Sequence, residues 1–168
     1  MNQEQITIKT LPAEWVTQDA FAPYGQLILP AADGKPYDQN DAQLDLSQGQ
    51  PRFYIMQLTQ RGKQFHRITR HERCTQCLGA LEGKSWLLAV APPSTDPKPN
   101  VKKLKAFQIP GHCFVKLNKG TWHAGPYFED NVVNFYNLEL TDTNDVDHFS
   151  YDFLKAEGMS WQIDAIWA

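Results

Sequence analysis

The sequence predicts an all-β domain, a sandwich or barrel, and three observations carry that expectation. Short apolar or alternating segments recur along the chain, clusters of Gly, Pro, Asn and Asp separate them, and helical periodicity is scarce. At 168 residues, with 42% hydrophobic and 12% aromatic content, the chain is long and apolar enough to bury one core. No internal repeat or interdomain linker is visible, so residues 1–168 read as a single domain.

Taken in order, Ile6, Ile8 and Leu11 alternate with polar residues and predict a short opening strand that Pro12 stops. Thr17 to Phe21 predicts one helical turn, with Thr17 or Asp19 near its cap and Pro23 beyond its end. Gln26 to Leu29 is the next strand, ended by Pro30, and residues 31–51 form a polar surface excursion. Arg52 to Leu58 places Tyr54, Met56 and Leu58 on one apolar strand face. Phe65 to Thr69 and Gln76 to Leu81 read as an outgoing and a returning strand around a turn near Arg73.

Glu82-Gly83-Lys84 is a tight turn in which glycine takes positive φ cheaply. Ser85 to Ala91 is an unbroken apolar run, as expected of a strand buried on both faces. Pro92 to Lys103 holds four prolines and reads as a loop. Leu104 to Ile109, a turn at Pro110-Gly111, then Cys113 to Leu117 and Val132 to Leu140 complete the strands. Tyr151 to Lys155 predicts a short helix ended by Gly158. Residues from about 158 to 168 form a Trp-rich apolar tail that needs a surface on its own barrel or on another subunit.

A net charge of -3 with scattered basic residues leaves no footprint for nucleic acid. No apolar run approaches the roughly 20 residues of a membrane helix. The start of the chain, with Glu4 and no apolar stretch, does not read as a signal peptide, so a cytoplasmic protein is expected. Three cysteines are too few for a disulfide framework. Cys74 and Cys77 form a CxxC within β-like flanks, which would point the thiols to opposite faces, and buried reduced cysteines are the expectation. A zinc site drawn from His71, Cys74, Cys77, His112 and Cys113 has the residue types without the usual spacing.

Two stretches carry the chemistry. One is Thr69-Arg70-His71-Glu72-Arg73-Cys74-Thr75-Gln76 with its closing Gly83; the other is Gly120-Thr121-Trp122-His123. Side chains alternate along a strand, so Thr69 and His71 share a face, and Gln76 returns to it only across a hairpin turn. His123 reaches the same place only if a barrel closes. These offsets resemble the cupin family of small β-barrels, whose first motif reads His-x-His, four residues, Glu, six residues, Gly, and whose second contains Gly-x-x-His.

His71, Gln76, Gly83, Gly120 and His123 fall at the family offsets, while Thr69 replaces the first His and Gln76 replaces the Glu. The resemblance implies a cupin-type jelly-roll barrel with a short N-terminal helix and little other helix. It also implies a reduced ligand set in the barrel mouth. His71, Gln76 and His123 offer two imidazoles and an amide oxygen to a divalent ion such as Ni²⁺, Mn²⁺ or Zn²⁺, with no carboxylate to offset its charge. His66, His112 and His148 read as structural or exposed. Arg67, Arg70 and Arg73 read either as a solvated strand edge or as forks for a substrate carboxylate, a role Lys116 can also fill. Trp122 reads as a core or rim aromatic.

The resemblance narrows further. Arg70-His71 with Thr75-Gln76 resembles the Arg-His…Thr-Gln element of the ureidoglycolate lyase family, also called ureidoglycolate hydrolase, small dimeric cupins of allantoin and purine breakdown. Asn118 to Pro126 is similar to that family's Trp-His-x-Pro element. Segments 75–79, 114–118 and 135–140, with Asp147-His148, resemble a plant and cyanobacterial branch, and the likeness spans about residues 10–155. Two positions depart: Glu72 stands where better-studied members have Pro, and Gly125 is inserted before Pro126.

The resemblance implies a carbon–nitrogen lyase that splits ureidoglycolate into glyoxylate and urea. His71 or His123 would act as base, and Glu139, on the face of Asn137, as acid or as partner to an imidazole. Arg70, Gln76, Lys116 and Trp122 would contact the small carboxylate substrate, and the chain would form a homodimer. Two rival readings remain: a non-catalytic cupin binding a small carboxylate or sugar acid, and a metal-dependent isomerase or oxygenase.

Overall fold

A computed structural model describes residues 5–167. The first strand, β1 (Thr7–Trp15), is followed by α1 (Gln18–Phe21), β2 (Gly25–Ile28), β3 (Pro51–Thr59), β4 (Gln64–Phe65), β5 (Arg67–Arg70), β6 (Gln76–Ala80) and β7 (Gly83–Ala91). Then come β8 (Lys105–Gly111), β9 (Phe114–Leu117), β10 (Trp122–Tyr127), β11 (Val132–Leu140), α2 (Thr143–Val146), β12 (Phe149–Asp152), α3 (Phe153–Glu157) and β13 (Met159–Asp164). The strands form an eight-stranded sheet, in the order β12-β5-β10-β7-β8-β1-β13-β4, and a five-stranded sheet, β2-β9-β6-β11-β3. The all-β, cupin-like fold expected from the sequence is the fold observed.

The core lies between the sheets because alternation directs one face of each inward. Trp86, Leu88 and Val90 of β7 meet Leu78 of β6, Val115 and Leu117 of β9, and Phe135 of β11. The intervening Leu87, Ala89 and Ala91 face a second apolar cluster with Trp122, Phe153, Trp161 and Ile163. This double burial explains why β7 reads as an unbroken apolar run.

Several boundaries differ from expectation for identifiable reasons. Pro12 does not end β1: the strand pairs in parallel with β13 over Thr7–Pro12 and with β8 over Ala13–Trp15. Pro12, which has no N–H to give, sits where the partner changes. Pro110-Gly111 continues β8 instead of turning, since Gly111 still pairs with Gly83. The Trp-rich tail becomes β13 and lies on its own barrel. The short elements α2 and β12 have too few residues to show a period, and the sequence offered no sign of either.

Candidate active site

Backbone hydrogen bonding brings the two motif stretches together. His123 on β10 pairs with Thr69 on β5, and the Gly120 N–H donates to the His71 carbonyl at 2.7 Å. Gly120 turns with φ of 82°, a conformation that favours glycine. The imidazole centroids of His71 and His123 are 5.1 Å apart, and His148 adds a third ring 5.7 Å from His71.

The backbone also sets the tautomers. Nδ1 of His71 lies 2.6 Å from the Asp147 carbonyl, and Nδ1 of His123 lies 3.3 Å from the Thr121 carbonyl. A carbonyl only accepts, so each Nδ1 carries the proton and each Nε2 keeps its lone pair. Asp147 is fully buried and also fastens the turn after β5. Its carboxylate accepts the Glu72 N–H at 2.7 Å and the Arg73 N–H at 2.9 Å.

Gln76 enters the site from β6, and Asn137 and Glu139 enter on the inward face of β11. Nε2 of Gln76 donates to Asn137 Oδ1 at 3.0 Å and to Glu139 Oε2 at 3.3 Å. Those two acceptors fix the amide orientation, since a flip would set oxygen against oxygen. Oε1 of Gln76 is left buried without a protein donor. Asn137 Nδ2 in turn donates to the Tyr54 hydroxyl at 3.2 Å. Glu139 is 2% exposed, so its carboxyl is buried in the site rather than on the surface. A cavity of about 240 Å³ has His71, Gln76, His123, Asn137 and Glu139 in its wall. Pockets for drug-sized ligands run from about 300 Å³ upward, so this one suits a small metabolite.

Burial moves three site groups. It lowers the His71 pKa, and it pushes His123 down to about 3, with the neighbouring His71 and His148 acting in the same direction. Glu139 moves up, again chiefly through burial. Both imidazoles are therefore neutral at pH 7, and Glu139 holds its proton to higher pH than an ordinary carboxylate.

A stability prediction follows from these directions. Below the ordinary histidine value of 6.5 the unfolded chain binds protons that folded His123 and His71 refuse, so stability present above about 6.5 is lost as pH falls. Glu139 acts oppositely, penalising the fold as pH rises above its ordinary value of 4.5. The thermal unfolding midpoint is expected to fall between pH 7 and pH 4, and more gently in His123→Gln. Equal slopes in the two proteins would show that His123 does not titrate as its burial requires.

Three expected site residues lie elsewhere. Arg70 is buried on the opposite face of β5. It pairs through Nε with Glu72 Oε1 at 2.9 Å, donates to the carbonyls of Thr95 and Asp96, and stacks 4.4 Å from the Trp122 ring. Trp122 belongs to the second apolar cluster and donates to Ser94 Oγ at 3.1 Å. Lys116 alternates with the inward Val115 and Leu117, so it takes the other face of β9, where it is buried and Nζ donates to Asn118 Oδ1 at 2.7 Å. None of the three borders the 240 Å³ cavity.

The cysteines are buried and free, with burial raising all three thiol pKa values, Cys77 to about 12. Among the described residues, no group of three or more His, Cys, Asp or Glu is arranged to hold a metal ion, so the cysteine–histidine zinc site does not assemble. His148, expected to be structural or exposed, lines the cavity mouth, as does Arg61. His148 falls between α2 and β12, where no periodic pattern marks a face. Arg61 sits in a loop, where alternation has nothing to say.

The described residues contain no helix long and apolar enough to cross a membrane. No curated protein matches the chain. A family model described as ureidoglycolate lyase matches residues 8–154 of the 168. The chain belongs to the ureidoglycolate lyase family. The match covers both motif stretches, Gln76, Asn137, Glu139 and the Asp147-His148 pair, so every residue of the cavity wall falls within the ureidoglycolate lyase region. It stops before β13, although that strand is an integral part of the larger sheet.

Proposed function

We propose that this enzyme cleaves ureidoglycolate to glyoxylate and urea, a step of allantoin and purine catabolism, in the cytoplasm and as a homodimer. The observation that carries the reading is a neutral imidazole pair facing a buried Gln–Asn–Glu cluster across a cavity of metabolite size. Ureidoglycolate is a hemiaminal, so no water need attack. A base takes the hydroxyl proton, the oxygen lone pair forms the aldehyde carbonyl, the C–N bond breaks, and an acid protonates the departing urea nitrogen.

His71 suits the base. Its Nε2 is free, and the Asp147 carbonyl and carboxylate steady the imidazolium that forms. His123, with its pKa near 3, is too weak a base for that step and serves as a hydrogen-bond acceptor that orients the substrate. Glu139, whose carboxyl pKa burial raises, serves as the acid. The unpartnered Oε1 of Gln76 accepts an N–H of the ureido group.

A second reading rests on that same orphaned oxygen. With the two Nε2 atoms it makes a neutral donor set of the type a Ni²⁺, Mn²⁺ or Zn²⁺ ion takes, and the 5.1 Å ring separation suits two imidazoles on one ion. Such an ion would supply Lewis acidity at the substrate hydroxyl, and His71 and His123 would then hold it. The dimer reading is supported by the outer face of the five-stranded sheet. There Phe53 is 71% and Ile55 63% exposed, beside Tyr136.

The deciding assay follows urea and glyoxylate release from ureidoglycolate against the spontaneous rate, with native protein and with protein stripped by a chelator. Release at the spontaneous rate in every preparation, including one resupplied with each of the three ions, would reject the lyase reading. Full activity in stripped protein supports His71 as base, whereas activity restored by one ion supports the ligand role.

A further inference from the structure

Cleavage of an anionic substrate requires a positive group beside the histidines, and most basic side chains near the site are already engaged. Arg67 pairs with Asp152 at 3.0 Å, Arg73 with Asp142 at 3.0 Å and Arg70 with Glu72. Arg52 Cζ lies 3.7 Å from the Tyr54 ring centroid, and Lys116 is buried on the other face of β9, where it donates to Asn118 Oδ1. Arg61 differs. It follows β3, borders the 240 Å³ cavity, and also lines an adjoining open recess of about 360 Å³ that shares His123, Gly125 and His148 with it.

Its guanidinium is held at one end only. Nη2 donates to the Pro126 carbonyl at 3.3 Å, and Cζ lies 5.5 Å from the Tyr127 ring centroid. Among the described residues no carboxylate forms an ion pair with it. A guanidinium has five N–H donors in a planar fork matched to a carboxylate, and most of this fork remains free.

We infer that Arg61 is the carboxylate-binding residue of the site, gripping the substrate's carboxylate at the boundary of recess and cavity so that the adjacent hydroxyl-bearing carbon lies over His71 and His123. The inference builds on the lyase reading, because it names the group that selects a 2-hydroxy acid skeleton. It is nevertheless tested without turnover. Glycolate and glycolamide have the same shape and differ in charge, so comparing their binding isolates the anionic contact.

By titration calorimetry, the wild-type chain is expected to bind glycolate at least about tenfold more tightly than glycolamide, the usual worth of a charge-assisted pair. Arg61→Ala should erase that preference, and Arg61→Lys should keep part of it. In the ureidoglycolate assay, Arg61→Ala should raise KM by at least about tenfold with a smaller change in kcat. Undiminished glycolate preference in Arg61→Ala would overturn the inference, as would failure of the wild type to prefer glycolate. A preference that depends on Arg61 in a protein that does not cleave ureidoglycolate would sink the lyase reading and leave the carboxylate site standing.

Discussion

His71→Ala is expected to reduce kcat/KM for ureidoglycolate by about 10²–10⁴-fold, the range for a lost acid–base group, and His123→Ala by about tenfold, the worth of a lost orienting hydrogen bond. Both variants should fold. Neither ring is part of the two apolar clusters, and both border the cavity. His112→Ala, at an exposed turn residue, should leave kcat/KM unchanged. Steady-state kinetics with thermal unfolding on the same preparations provides the measurement. A folded His123→Ala protein with wild-type kcat/KM would remove that residue from the reaction.

The largest loss of stability is expected at Trp86. Its side chain is 0% exposed, sits edge-on to Phe135 at 5.2 Å between centroids, and spans the space between the sheets. Trp86→Ala should cost about 3–5 kcal/mol, because removing an indole from a packed core leaves a cavity the barrel cannot collapse to fill. The indole N–H has no protein acceptor. Trp86→Phe gives up some contact but also removes that unpaired donor, so its cost should stay under about 2 kcal/mol. Denaturant midpoints with an unchanged slope would check both values. Equal losses for Ala and Phe would mean that the N–H is satisfied and the indole matters for more than volume.

The parts of the site visible in the sequence are those governed by fixed offsets. His71, Gln76, Gly83, Gly120 and His123 occupy hairpin and strand positions whose geometry repeats, and Glu139 follows from alternation with Asn137. The same period of two also bears on the residues that lie elsewhere. If Thr69 and His71 face inward, Arg70 between them faces outward. Trp122 is next to His123, and Lys116 lies between Val115 and Leu117, so each takes the opposite face. A motif match weights neighbours alike, whereas a pleated strand separates them. Arg61 and His148 fall outside any such rule, since their places depend on how loops lie across the barrel rim.

The parallel seam between β1 and β13 joins residues from opposite ends of the described chain. During synthesis, β1 lacks this neighbour until Met159–Asp164 has emerged from the ribosome, after every residue that lines the 240 Å³ cavity. Ile8 and its neighbours therefore lack this pairing until that late strand has been made. Refolding should be slow for a domain of this size, as expected when distant segments must meet before the barrel closes.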